Sequence, residues 1–196
     1  MNNKSENTKS IDMLLADSFK RLVEKKPIEK ITIREITDLA GVIRPTFYNH
    51  FQDKYELLEW IIVTDLFEPM NPLIDKGELS QAVEGALVTM QNEKEFYDRA
   101  FRLTGQNSFG EIMTDHVAQM ILSRLPEVTL REKIYYQWLT PKRVAYFFAG
   151  QIVYVVMAWI EDGMKVPPRE LVGSFMYFCN HSTIEMVEMV EAEKKL

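Results

Sequence analysis

Cysteine is almost absent. Cys179 stands alone in 196 residues, so no internal disulfide is available and a reducing cytoplasm is the expected setting. No basic start leads into an apolar signal region, which argues against secretion. The most apolar stretch, residues 144 to 160, is interrupted by Gly150 and Gln151 and falls short of the roughly 20 residues a membrane span needs. It is expected to be a buried helix, with no membrane partner. Histidine is also scarce: His50, His116 and His181 lie far apart without ligand spacing, so neither a metal site nor a cofactor is expected. Cys179, His181 and Ser182 cannot make a nucleophile and base pair, because neighbours at i and i+2 leave a helix on different sides. With no paired acid and base elsewhere, the chain does not read as an enzyme.

Strand-like alternation, internal repeats and low-complexity tracts are missing as well. Apolar residues instead recur at helical spacing, as in Leu14, Leu15, Phe19 and Leu22, which predicts an all-α fold. Helices are expected over residues 10 to 25, 32 to 40, 44 to 50, from 54 until Pro69 and Pro72, then 79 to 91, 93 to 104, 108 to 125, 141 to 162 and 168 to 193, with a short piece near 130 to 137. Thr32 and Glu35 fit a capping box, Gly41 a left-handed stop, Asp53 and Thr140 N-caps. A division into residues 1 to 53 and 54 to 196 follows.

A positive balance, the usual mark of a nucleic-acid partner, is lacking too: the net charge is −6. Its distribution is uneven. Residues 1 to 60 carry ten basic and ten acidic groups, leaving 13 basic and 19 acidic groups to the rest. A neutral front that gathers Lys9, Lys20, Arg34, Arg44 and Lys54 near one surface can meet phosphates while the acidic body faces away.

What is present in that front is the physical kit of a helix-turn-helix: two short helices about a Gly41 turn, preceded by a third. Ile36, Leu39, Val42, Phe47 and Phe51 are spaced to close a small core. The opposite face then offers Arg44, Thr46, Tyr48, Asn49 and His50 to phosphates or base edges, with Arg34 nearby on the preceding helix.

Ile33-Arg34-Glu35-Ile36, Ala40-Gly41-Val42, Thr46-Phe47-Tyr48-Asn49-His50-Phe51, Lys54 and Glu56-Leu57-Leu58 together resemble the TetR family over residues 8 to 60. The resemblance implies a homodimer on a near-palindromic double-stranded DNA operator, with a small effector bound by the C-terminal domain. It assigns Thr32, Tyr48 and Lys54 to phosphates and Arg44, Pro45, Thr46 and Asn49 to bases. Two positions depart from the family pattern: Ile43 stands where a capping serine or threonine is common, and Thr37 where alanine is common. Gly105-Gln106-Asn107-Ser108-Phe109 and the run from Trp159 to Lys165 resemble a subgroup that includes activators of dihydroxyacetone kinase operons. That likeness admits control by a partner protein in place of a small molecule.

In the C-terminal part, Phe96, Phe101, His116, Met120, Tyr136, Trp138, Phe147 and Tyr154 are candidates to line an effector cavity, or simply to fill a helical core. Val153, Met157, Phe175, Phe178, Cys179, Ser182 and Met186 form apolar stripes on the last two helices that suit a four-helix dimer interface, or burial within one subunit.

Overall fold

The computed structural model describes residues 2–104, 108–124, 136–182 and 184–185, with side chains from Ser10 onward. Ten α-helices carry the described chain: α1 (Asn2–Val23), α2 (Ile33–Ala40), α3 (Arg44–Tyr48), α4 (Lys54–Ile62), α5 (Asn71–Asp75), α6 (Leu79–Asn92), α7 (Lys94–Phe101), α8 (Phe109–Leu122), α9 (Pro141–Glu161) and α10 (Pro168–Asn180). No strand occurs among the described residues, and the all-α expectation holds.

Several boundaries moved for identifiable reasons. α1 begins eight residues earlier than its apolar spacing suggested. α4 does not run on to Pro69: the chain leaves α-geometry at Ile62, passes through a π-helical segment (Val63–Phe67) and then a 3₁₀ turn (Glu68–Met70). Pro69 and Pro72 break nothing there, because each sits in the first turn of a new segment, where a missing N–H leaves no bond unmade. α7 stops at Phe101 and α8 at Leu122, inside their expected ends. α10 stops at Asn180, because His181 turns extended and Ser182 opens a fresh capping box: Glu185 N–H donates to Ser182 Oγ at 3.2 Å, while Ser182 N–H donates to the Glu185 carboxylate at 2.6 Å. Most of the piece expected at 130 to 137, and Met186, lie outside the described residues.

The head is a small closed core. Leu15 and Phe19 of α1, Ile36 of α2, Phe47 of α3, Phe51, and Leu57, Leu58 and Ile61 of α4 are almost fully buried. Phe47 and Phe51 meet with ring centroids 5.9 Å apart, and Trp60 meets Phe51 edge-on at the same distance. Each such side chain contributes roughly 1.5–3 kcal/mol by leaving water. Leu39, expected in this core, is exposed instead.

The body is organised on the α8–α9 pair. Ala145, Ala149, Val153 and Val156 of α9 are buried on the same side as Trp159 and Ile160, while α8 contributes Phe109, Ile112, Met113, Val117 and Ala118. The helices come close at Gly110, where an added Cβ would stand 3.4 Å from Met157 Cε. α9 is 21 residues long, so by length and composition it could cross a membrane, contrary to the length estimate from its sequence. The expected buried helix is buried on one face only: 33% of its apolar window lies inside, against α8, while Phe147, Phe148 and Tyr154 are exposed.

After α9 the chain reverses through Gly163 and Met164, both left-handed at φ 78° and 54°. Met164 adopts this unfavourable region while buried, with its N–H on the Trp159 carbonyl at 2.8 Å and the Trp159 indole donating to Val166 at 2.7 Å.

Candidate nucleic-acid interface

The turn that presents α2 and α3 is fixed by local chemistry. Thr32 and Glu35 form the expected capping box: Glu35 N–H donates to Thr32 Oγ1 at 3.3 Å, and Thr32 N–H donates to the Glu35 carboxylate at 3.0 Å. Lys26 also holds that carboxylate. These contacts, the Lys26 hydrogen bond first and the Thr32 bonds next, bring the Glu35 carboxyl down to about 2. Gly41 closes α2 at φ 71°, and Val42 N–H returns to the Thr37 carbonyl at 3.0 Å. Thr37, unusual at its position, is buried and gives its hydroxyl proton to the Arg34 carbonyl at 3.0 Å, so its polar group is satisfied.

α3 starts without a side-chain cap. Ile43 occupies the N-cap position with extended backbone and an exposed side chain, and Pro45 follows in the first turn. Phe47 points inward, while Arg44, Pro45, Tyr48 and Asn49 are exposed and Thr46 is half-buried. Arg44 and Tyr48, one turn apart, are organised together: Arg44 Nη2 donates to the Tyr48 hydroxyl at 3.2 Å and the guanidinium lies 5.9 Å from the ring centroid. Thr32 and Arg34 are exposed on α2, where Arg34 makes only a surface pair with Asp38 at 3.5 Å.

Two residues expected on this face are turned elsewhere. His50 lies beyond the end of α3, and its Nδ1 is 2.6 Å from Asp12 on α1, with both side chains largely buried. Lys54 spends all three ammonium protons on backbone carbonyls, those of Ile28 (2.8 Å), Glu29 (2.8 Å) and Ile31 (2.9 Å). Burial pushes its pKa down, against the opposing pull of Glu29 and Asp53. Lys20, counted with the basic surface, instead faces the body, where it pairs with Asp65 and Glu93. No spacing in the sequence announces the partners of these three residues, which lie between 23 and 73 residues away.

The candidate effector residues do not converge. Phe96 is core; Phe101 and Met120 are half-buried against it; Tyr136, Trp138, Phe147 and Tyr154 are exposed. His116 is tied to Glu59 at 2.8 Å and packs on Phe67 at 5.4 Å. An open cleft of about 830 Å³ lies among Glu59, Gly110, Asp115, Gly150, Tyr154 and Met157, so of the candidates Tyr154 lines it. A second, wholly different recess of about 90 Å³ is apolar and runs between α6, α9 and α10, lined by Leu87, Ile152, Leu171 and Phe175 among others.

The candidate dimer residues also divide. Val153 is buried within the subunit, Met157 packs beside Gly110, and Phe175 lines the small apolar recess. Phe178, Cys179 and Ser182 are exposed. On the outward side of α9, Phe147, Gln151 and Tyr154 are exposed at spacings of four and three.

Among the described residues no group of histidine, cysteine and carboxylate side chains could hold a metal ion.

Comparison with known proteins agrees with this arrangement. Residues 17–61 match the pattern of bacterial regulatory proteins of the tetR family, and residues 77–181 match a transcriptional regulator C-terminal region of TetR type. The dhaKLM operon transcriptional activator DhaS of Lactococcus lactis subsp. lactis (strain IL1403) is 31% identical over 88 residues, covering 45% of this chain and 47% of that protein. The repressor KstR2 of Rhodococcus jostii (strain RHA1) is 30% identical over 82 residues, 40% of each chain. The chain spans less than half the length of the curated relatives it matches. A solved structure of the dihydroxyacetone kinase operon activator DhaS superposes over 85% of this chain and 92% of its own, at TM-score 0.61 and 22% identity. NalD, the secondary repressor of the MexAB-OprM efflux pump in Pseudomonas aeruginosa, does so over 86% and 95%, at TM-score 0.54 and 16% identity. Both show a shared fold. With its head matching the one pattern and more than half its length matching the other, the chain belongs to the TetR family of bacterial transcription regulators, which are not enzymes.

Proposed function

We propose that this regulator works as a homodimer on a double-stranded, near-palindromic operator, with residues 1 to 53 as the DNA-reading head and residues 54 to 196 as the controlling body. The observation that carries the reading is the division of α3: Phe47 anchors it in the core while Arg44, Tyr48 and Asn49 stand outside, with Thr32 and Arg34 exposed on α2. Arg44, Thr46 and Asn49, with Pro45 shaping their approach, suit base edges; Tyr48 and the start of α2 at Thr32 suit phosphates. His50 and Lys54 take supporting positions behind that face. The outward stripes of α9 and α10, including Phe147, Tyr154 and Phe178, suit a four-helix interface with a second copy. A signal received by the body would change operator affinity by favouring one separation of the two heads.

A selection from a random duplex pool at low salt, followed by fluorescence anisotropy on the enriched sequence, tests this. Enrichment of an inverted repeat is expected. Asn49→Ala should lose about 1–3 kcal/mol of base discrimination, if its contact is bidentate. Failure to enrich any sequence would sink the reading.

Two sources of the signal compete. A small effector fits the cleft of about 830 Å³. Control by a partner protein is favoured by Trp138, exposed outside the stripe given to the second copy, and by that cleft being open to solvent. The DhaS relative is an operon activator by name, and which sign this chain exerts is read by a promoter-reporter assay on the selected operator.

A further inference from the structure

The corner between α6 and α7 touches two distant parts of the molecule at once. On the head side, Lys20 of α1 places its ammonium 2.6 Å from Asp65 Oδ2, in the π-helical segment, and 2.6 Å from Glu93 Oε2, at the corner. The third side of the ammonium faces the Phe96 ring, 5.6 Å from its centroid. On the body side, Lys94 donates to the Gly163 carbonyl at 2.6 Å and Gln91 to the Met164 carbonyl at 3.1 Å, and these two carbonyls form the left-handed reversal between α9 and α10. Four successive residues, 91 to 94, thus join the head to the turn that links the two helices of the outward stripe.

The head-side contact leaves one polar group over. Lys20 donates a hydrogen bond to Asp65 and pairs with Glu93 Oε2 at 2.6 Å, so one ammonium holds both carboxylates. The Tyr97 hydroxyl, one turn along α7 from Glu93, is buried with no hydrogen-bond partner. A buried donor without an acceptor, four residues from a carboxylate on the same helix, defines a second arrangement, in which the Tyr97 O–H donates to Glu93 and Lys20 keeps Asp65 alone. Such a pair of discrete packings is what a coupling element requires. The π-helical segment that supplies Asp65 is of the kind that recurs at functional positions in helices.

We propose that residues 91 to 94 form a coupling joint in which Glu93 exchanges between Lys20 of the head and Tyr97 of α7, so that movement of the α9–α10 turn, carried by Lys94 and Gln91, changes the orientation of the head. Lys20, Glu93, Lys94 and Tyr97 are positioning residues: none lies on the face that reads DNA. The inference rests on the reading of α1 to α3 as a DNA-binding head, but the joint itself is measured without DNA, so the two fail separately.

The test is a pulsed electron-spin distance measurement between labels at Asp38 on α2 and Gln119 on α8, both exposed, in a Cys179→Ser background diluted with unlabelled chain. The parent is expected to give one narrow distance. Glu93→Gln weakens the hold of Lys20 while keeping the shape and an acceptor for Tyr97, and should at least double the width of the distribution or add a second distance. Lys94→Met, which cuts the body-side tie, should broaden it as well. Adding Tyr97→Phe to Glu93→Gln removes the bond of the alternative arrangement and should restore the narrow distance. Arg102→Gln, which breaks the surface pair with Asp98 on α7, should change nothing. Melting temperatures of every variant separate loosening of the joint from loss of the fold. The proposal is overturned if Glu93→Gln and Lys94→Met keep the parental distribution, or if Tyr97→Phe leaves the Glu93→Gln distribution broad.

Discussion

The ammonium of Lys54 lies 2.8 Å from the Ile28 carbonyl oxygen, and this contact, with those to Glu29 and Ile31, ties the start of α4 to the turn that leads into α2. A lysine at the edge of a DNA-reading head is ordinarily a candidate phosphate contact. Here its three donors are already used, and their effect is to fix where Thr32 opens the helix. The two roles predict different salt behaviour. A side chain that meets a phosphate releases a counterion, so its removal lowers the slope of log K against log salt by about 0.9. Lys54→Met should weaken binding and lower the melting temperature while leaving the slope in operator titrations at the parental value; a slope lowered by that amount would return Lys54 to the phosphate set.

The contrast between Thr32 and Lys54 shows what the sequence could reveal about the site. The capping box depends on a spacing of three, and Thr32 and Glu35 carry it within a single turn, so it is legible from the residue order alone. The partners of Lys54, His50 and Lys20 come from distant parts of the chain, and local periodicity holds no information about them. The same limit explains the aromatic residues. Phe96 and Tyr154 are both aromatics on regular helices, yet one is core and the other exposed. Spacing identifies a stripe, whereas the packing of α8 on α9 decides which stripe is inside. The helices themselves are legible because their apolar period, caps and proline starts agree. The π-helical segment is not, since nothing in Val63 to Phe67 breaks the α pattern.

The uncapped start of α3 predicts a stabilising substitution. Ile43 is 69% exposed and gives the first turn no side-chain acceptor, although its backbone is already extended as an N-cap requires. Ile43→Ser places a hydroxyl oxygen where the Thr46 N–H, which already donates to the residue 43 carbonyl at 2.9 Å, can share its proton, while little apolar burial is lost. The expected gain is about 0.5–1 kcal/mol. For a chain of this size that corresponds to roughly 1–4 °C in a reversible thermal melt. An unchanged or lower melting temperature would show that Pro45 alone sets this turn.

Glu35 predicts a pH dependence with a definite sign. Its folded-state pKa falls from an ordinary 4.5 to about 2, because Lys26 and the Thr32 groups bond its charged form. A depressed carboxyl pKa contributes stability that is fully present above the unfolded value and is lost as pH falls through the folded one. The stability difference between parent and Glu35→Gln should therefore be constant above about pH 5.5, shrink through the interval between 4.5 and 2, and vanish below it. Denaturant titrations at a series of pH values measure it. Because the group is exposed, added salt should reduce the difference. A difference that does not vary with pH would mean that the amide replaces the carboxylate in full, and that charge has no part in the cap.

Phe178 and Phe147 test whether the outward side of the last two helices is covered in solution. Both are more than half exposed, on α10 and α9, whereas Val153 of the same α9 is buried inside the subunit. If two copies pair through these faces, a carboxylate at either place must be desolvated against apolar surface on association. Phe178→Glu and Phe147→Glu should then raise the dimer dissociation constant at least tenfold, about 1.4 kcal/mol, in sedimentation equilibrium. Their melting temperatures, extrapolated to low protein concentration, should stay near the parental value, because neither side chain supports the subunit core. Val153→Glu should behave in the opposite way, unfolding the subunit whatever its concentration. If the two surface variants sediment as the parent does, the stripe is not the contact between copies, and the outward aromatics are left to a different partner.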